Sequence, residues 1–276
     1  MSRSYPETFI YWITERLSIL QKKESGDPKP WSQDPVFQTT YFTNVRREDD
    51  KVTHWIRLNY SHYVDHELFL YNMVLARFIN NIPALKEIGF RYNHNADLLR
   101  YDLRETYEKL GRLWGGAYII TTHGMQMDKV TYLVDHVLRD VDGMVEPLYI
   151  SCDETHKALM EVDGLGSFLA AQVVADLKNT YGHELTTAPD WWTFAAHGPG
   201  SLKGASWFKY GEPGHVSPSK FPVVLNEIRE YYDSKAEEYK LPKICNQDLQ
   251  NCLCEFDKYC RIMTRTGRSK RGYNGS

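Results

Sequence analysis

The sequence predicts an all-α fold. Apolar residues recur at helical spacing in one segment after another. No run alternates apolar and polar residues convincingly enough to be read as a strand. Proline and Gly-Gly punctuation separates several of the periodic segments.

The elements follow in order. Phe9, Ile13, Leu17 and Leu20 form the stripe of a first helix, with Glu15, Arg16, Lys22 and Lys23 off that stripe, and the helix is expected to end near Gly26. A loop punctuated by Pro28, Pro30 and Pro35 follows, because proline fixes the backbone and cannot propagate a helix. The stretch from Phe42 to Asp50 is dense in polar groups. A buried helix is expected over His66 to Ile79, stopped before Pro83, and another over Asp97 to Leu110, before the break at Gly115-Gly116. Lys129 to Leu138 reads as a helix, and so does Asp153 to Val162, with Ser151 or Asp153 as N-cap. Ser167 to Asn179 carries the stripe Phe168, Leu169, Val173 and Leu177. A short helix over Pro189 to Ala196 and longer ones over Phe221 to Tyr239 and Gln247 to Met263 close the count. The 276 residues suit a single helical domain, as one body or as two lobes, with a flexible basic tail over 264–276.

Composition restricts function. The formal net charge is -3, so bulk positive charge is excluded as the means of holding nucleic acid, and any such contact needs a local patch. Arg261, Arg265, Arg268, Lys270 and Arg271 form one, readable equally as a solvated end. Aromatic residues make up 13% of the chain; they can stack on bases, and more often they fill the core. No apolar run reaches membrane-spanning length and the amino-terminal segment does not resemble a signal peptide, so a cytoplasmic protein with reduced cysteines is expected, without a membrane partner.

The segment Val162-Asp163-Gly164-Leu165-Gly166-Ser167-Phe168-Leu169-Ala170 lies between two predicted helices. Two glycines permit a turn that a Cβ would forbid, and they bare amides at the start of the next helix. Bare amides and the helix dipole together suit a phosphate, so Gly164, Leu165, Gly166 and Ser167 are candidate contacts to a DNA backbone. A tight turn without a ligand is the competing reading.

This hairpin resembles the helix-hairpin-helix of the endonuclease III superfamily of DNA glycosylases. The resemblance implies a glycosylase-like helical domain with a catalytic aspartate downstream, where Asp190 stands. Phe168 occupies the position of the lysine of bifunctional members, which argues against Schiff-base chemistry.

Further stretches resemble a narrower group. They are Lys22-Lys23 with Pro30 to Pro35, Phe42 to Asp50, Gly164 to Asp176, Gly198 to Ser201, and Leu253 to Tyr259. Together they are similar to phage DNA base hypermodification proteins. That group comprises the alpha-glutamyl/putrescinyl-thymine pyrophosphorylases, or amino acid:DNA transferases, and the helical domain of 5-hydroxymethyluracil DNA kinases. The resemblance implies action on double-stranded DNA with modified thymine, in a phage-infected bacterial cell. A kinase converts 5-hydroxymethyluracil to a pyrophosphoryl ester, and a transferase displaces pyrophosphate with an amine. No Gly-x-x-x-x-Gly-Lys-Ser/Thr motif is present, and Gly198 to Gly204 has the wrong spacing, which favours the transferase with an amine co-substrate. A base-excision glycosylase, a non-catalytic DNA-binding module and the kinase itself are the alternatives.

The resemblance implies roles for particular residues. Departing pyrophosphate calls for cations and amides, drawn from Lys22, Lys23, Arg46, Arg47, Lys203 and the amides of Gly198 to Ser201. The attacking amine needs a proton acceptor: Asp190, or else Asp34, although either is also read as a local cap. The base must leave the stack. Trp31, Phe42 and Trp191 could stack on it and Asn44 could read its edge, or all four could be packing groups. Glu255 and Lys258 read as an intrahelical ion pair. Cys245, Cys252, Cys254 and Cys260 fall one residue short of the iron–sulfur spacing of endonuclease III relatives, so no cluster or other cofactor is expected. His54 and His197 lack partners at metal spacing, and no zinc is expected.

Overall fold

A computed structural model describes residues 3–116, 121–122, 124–142 and 149–267. Among them no strand occurs. In chain order the helices are α1 (Tyr5–Glu24), α2 (Pro35–Thr39), α3 (Lys51–Tyr60), α4 (Phe69–Ile79), α5 (Ile82–Ile88), α6 (Ala96–Leu110), α7 (Lys129–Tyr132), α8 (Arg139–Asp142), α9 (Cys152–Met160), α10 (Ser167–Lys178), α11 (Pro199–Tyr210), α12 (Phe221–Lys235) and α13 (Asn246–Met263). The chain divides into two units: unit 1 joins Met1–Asp50 to Trp192–Ser276, and unit 2 is Lys51–Trp191.

In unit 1, α1 starts at a capping box. The Ser4 hydroxyl accepts the Glu7 amide, and the Glu7 carboxylate accepts the Ser4 amide at 2.7 Å. Phe9, Trp12 and Ile13 are fully buried in a core with Phe37, Phe42, Trp207, Ile228, Leu253 and Phe256. Helix α11 lies against α13 at very close range. A Cβ built on Gly204 would sit 1.9 Å from the Leu253 carbonyl oxygen, so only glycine permits this contact.

In unit 2, α4 is buried along its whole length. It packs against α10, and α10 packs against α3. At this junction Arg77 and Asp176, both fully buried, form an ion pair in which Nε donates to Oδ2 at 2.6 Å. The Thr53 hydroxyl donates to Asp176 Oδ1 at 2.8 Å. Helix α7 runs through a π-helical segment, Leu133–Leu138, into α8, so the helix expected over 129–138 continues to 142.

Several boundaries differ from expectation. No helix forms over 189–196. Instead the Lys178 ammonium draws the Trp191 carbonyl at 2.7 Å, and Asp190 turns toward α9. Helix α12 ends at Lys235, short of Tyr239. Helices α2, α3, α5 and α11 arise where none was expected, two of them short and three with proline in the first turn. On α10 the buried face is Ala170, Val173, Val174 and Leu177, whereas Phe168 is half exposed. Of the basic tail, Arg268, Lys270 and Arg271 lie outside the described residues, while Arg261 is on α13 and bonds Asp257.

Candidate active site

Helix α1, the loop that follows it and α2 surround a cavity of about 170 Å³, wholly within unit 1. Its lining combines three cations, Arg16, Lys23 and Lys29, with the rings of Trp31, Phe37, Tyr41 and Phe42. Ser32, Gln38 and Thr40 add polar groups, and no carboxylate lies on the lining. The loop is fastened from within. Lys22 Nζ donates to the Trp31 carbonyl at 2.8 Å, and Trp31 Nε1 donates to the Asp27 carbonyl at 2.8 Å. The Lys29 ammonium lies 5.0 Å from the Trp31 ring centre, a cation–π contact at the edge of the cavity.

Lys23, Trp31 and Phe42, singled out separately in the sequence, therefore line one cavity. Phe42 is only 3% exposed, and its ring packs against Trp12, Phe37 and Tyr259, so it forms the floor of the cavity and serves the core. Asn44 is not on the lining. Its Oδ1 accepts from Arg16 and its Nδ2 donates to the Asp49 carbonyl at 2.5 Å, which leaves the amide holding the backbone of 44–49. Arg46 is bidentate to Asp49, at 2.9 Å for each contact, and reaches Glu48 at 3.0 Å. The Arg47 amide donates to Asp248 at 2.8 Å, tying the motif to α13.

Asp34 is engaged on both oxygens. Oδ1 accepts the Val36 amide at 2.8 Å as the N-cap of α2. Oδ2 accepts the hydroxyls of Tyr11 at 3.1 Å and Tyr259 at 2.7 Å. Burial, reinforced by this carboxylate, pushes both phenols well above the usual tyrosine range. The acidic group that touches the lining was missed in the sequence: Glu15 accepts a hydrogen bond from the Ser32 hydroxyl. Its only sequence signal was a position off the apolar stripe of α1.

Gly198 to Ser201 opens α11. The Ser201 hydroxyl accepts the Gly198 amide at 2.9 Å, and Gly200 packs against Cys254, so this stretch acts as a helix start fitted to α13. Lys203 is exposed on the same helix. Glu255 and Lys258 pair at 2.7 Å, as expected for positions three apart. Cys252 donates to the Val45 carbonyl at 3.6 Å and Cys245 to Asp248 at 3.2 Å. Burial raises the Cys252 thiol, the Cys254 thiol to about 12, and the Cys260 thiol, which keeps them protonated. Among the described residues no group of three or more His, Cys, Asp or Glu is placed to hold a metal ion.

In unit 2, helices α9 and α10 are joined by a turn in which Gly164 has φ +85°. A Cβ there would stand 2.4 Å from the Tyr132 hydroxyl, whereas one on Gly166 would meet nothing within 4 Å. Leu165 is fully buried under the turn, and Gly166 caps α10. Ser151 caps α9 through the Glu154 amide at 3.1 Å. Asp190 accepts the Cys152 and Asp153 amides at 2.8 and 2.9 Å. Trp191 Nε1 donates to the Lys178 carbonyl at 3.0 Å and its ring lies beneath the Lys178 ammonium, so this ring is a fastening of the loop. Asp190 belongs to unit 2 and Arg46 to unit 1.

The profile of the family described as "5-hmdU DNA kinase, helical domain" matches residues 3–269. The chain is 23% identical over 299 aligned positions to the 5-hmdU DNA kinase of Bacillus phage SP10, an alignment that covers 95% of this chain and 45% of that protein. The chain thus spans a little less than half the length of that relative. No solved structure matches. No helix among the described residues is long and apolar enough to cross a membrane.

Proposed function

Because the chain belongs to the family of 5-hmdU DNA kinase helical domains, we propose that it serves thymine hypermodification, with 5-hydroxymethyluracil bases of duplex DNA as its substrate. The reaction in this reading is the displacement of pyrophosphate from a pyrophosphorylated 5-hydroxymethyluracil by an amino acid or polyamine. The amine nitrogen bonds to the exocyclic methylene carbon. The carbon–oxygen bond to pyrophosphate breaks, pyrophosphate leaves with the electron pair, and the nitrogen gives up its proton to a base.

The observation that carries this reading is the unit 1 cavity, which sets aromatic rings beside cations at the size of a single ring. About 170 Å³ falls below the ~300 Å³ at which sites for larger small molecules begin. A flipped pyrimidine ring fits that space. Trp31 offers a stacking face, and Lys23, Lys29 and Arg16 offer charge to a departing pyrophosphate. The hydroxyl of Ser32, bonded to Glu15, is the acid–base pair at the lining and takes the place first given to Asp190 and Asp34. The α9–α10 turn supports a helix-hairpin-helix contact to the DNA backbone through Gly164, Leu165, Gly166 and Ser167. The phage source of the relative supports action in the cytoplasm of an infected bacterium.

The name of that relative favours a second reading, phosphorylation of 5-hydroxymethyluracil. A chain spanning 45% of the kinase need not carry the nucleotide motif itself, so its absence here does not decide between the two. Mass spectrometry of nucleosides separates them. Duplex DNA with the pyrophosphorylated base, incubated with amines and no ATP, yields a nucleoside heavier by one amine minus water than 5-hydroxymethyldeoxyuridine if the transferase reading holds. A phosphorylated nucleoside formed only from 5-hydroxymethyluracil DNA with ATP and Mg²⁺ replaces it with the kinase. Free base in solution replaces it with a glycosylase.

A further inference from the structure

We infer that Gln38 reads the ring in the unit 1 cavity and selects uracil-type bases over cytosine-type ones, an assignment that rests on the base-pocket reading above. Asn44, the residue the sequence put forward as reader, has both ends of its amide engaged by Arg16 and the Asp49 carbonyl and is absent from the lining. Gln38 is on the lining, half-buried, near the end of α2. Its backbone amide bonds the Asp34 carbonyl at 3.0 Å, and its side-chain Nε2 donates to the Ser32 carbonyl at 2.9 Å. That second bond fixes which way round the amide lies, and it leaves Oε1 as the acceptor.

An oriented acceptor discriminates between the two pyrimidines. Uracil and its 5-substituted forms carry a donor at N3, whereas cytosine carries a lone pair there. Oε1 gains a hydrogen bond with the first and faces a second acceptor in the other, which leaves polar groups unpaired in a confined site. The charged groups of the lining make no such distinction at O2, the carbonyl that both rings carry. Arg16, Lys23 and Lys29 are donors only and meet that oxygen equally in either ring. The Ser32 hydroxyl is already given to Glu15. The Thr40 hydroxyl, also on the lining, can serve a ring carbonyl beside the Gln38 contact.

The test compares two labelled single-stranded oligonucleotides that differ at one central base, 5-hydroxymethyluracil or 5-hydroxymethylcytosine, by fluorescence anisotropy with the full chain. Backbone contacts are common to both, so the ratio of affinities isolates the ring edge. The unaltered protein is expected to prefer the uracil form about tenfold, the worth of one well-placed hydrogen bond. Gln38→Met, which keeps the side-chain volume, and Gln38→Ala should each bring the ratio to about one by weakening the uracil complex alone, with melting temperatures recorded alongside. A preference that survives in both variants overturns the assignment. Trp31→Ala is the separate check on the pocket: if it leaves both affinities unchanged, the base-pocket reading falls and takes the Gln38 inference with it. If it weakens both while the Gln38 variants keep the preference, only the inference falls.

Discussion

The carboxylate of Asp190 receives the backbone amide of Cys152 at 2.8 Å and that of Asp153 at 2.9 Å, so it closes the N-terminus of α9 from a position 37 and 38 residues away in sequence. A carboxylate at this end of a helix satisfies otherwise unpaired donors and meets the positive end of the helix dipole. The prediction is a stability effect. Asp190→Ala should cost about 0.5–2 kcal/mol, the usual worth of a lost cap, and Asp190→Asn less, because an amide oxygen still accepts. Thermal melts measure both. Turnover lost in Asp190→Asn with an unchanged melting temperature would return this residue to the chemistry.

The two glycines of the hairpin should behave differently. Gly164 combines φ +85° with a Cβ position 2.4 Å from the Tyr132 hydroxyl, so Gly164→Ala is expected to lower stability by more than about 1 kcal/mol. Gly166 has open space around it. Gly166→Ala should melt with the unaltered protein yet bind duplex DNA more weakly, because its methyl group stands beside amides offered to a phosphate. Equal DNA affinity in the two proteins would reduce the hairpin to a connection between helices.

The buried pair Arg77–Asp176 makes a third test. Both side chains are fully buried, and the Thr53 hydroxyl also donates to Asp176. Arg77→Met strands a buried carboxylate and should destabilise by about 3–5 kcal/mol in urea denaturation. Replacing both residues, Arg77→Met with Asp176→Leu, should recover much of that loss, because the stranded charge is the main penalty. A single variant as stable as the parent would show that water reaches the site.

His183 predicts a pH dependence. Burial holds its imidazole down to about 4, and its Nδ1 accepts the Leu185 amide at 3.1 Å, a bond that protonation would break. The folded state therefore binds the proton less readily than the unfolded chain, whose histidine titrates near 6.5. The stabilisation is complete above about 6.5 and is lost as pH falls toward about 4, by a few kcal/mol in total. His183→Asn can keep the cap without the titration. Urea midpoints near neutrality and in mild acid should differ in the parent and differ less in the variant.

Local chemistry was legible in the sequence, and it determined most of the helices. The stripes of α1 and α13, the Ser151 cap of α9 and the glycine turn before α10 are written in neighbouring residues, because helical period and capping act over one or two turns. Lys23, Trp31 and Phe42, named in the sequence as candidate contacts to the base and its leaving group, line one cavity, since they fall within about one loop of each other. What only the tertiary structure decided is which groups meet across long separations. It brought both ends of the chain together as unit 1, engaged Asn44 and Asp34 with bonds that take them off the lining, and set Glu15 against Ser32. It gave Asp190 to α9 and fitted Gly204 to the backbone of Leu253. The physical reason is that a side chain's period reports which face it occupies, whereas its partner depends on how the helices pack, and packing is fixed by the shapes of residues far apart in the chain.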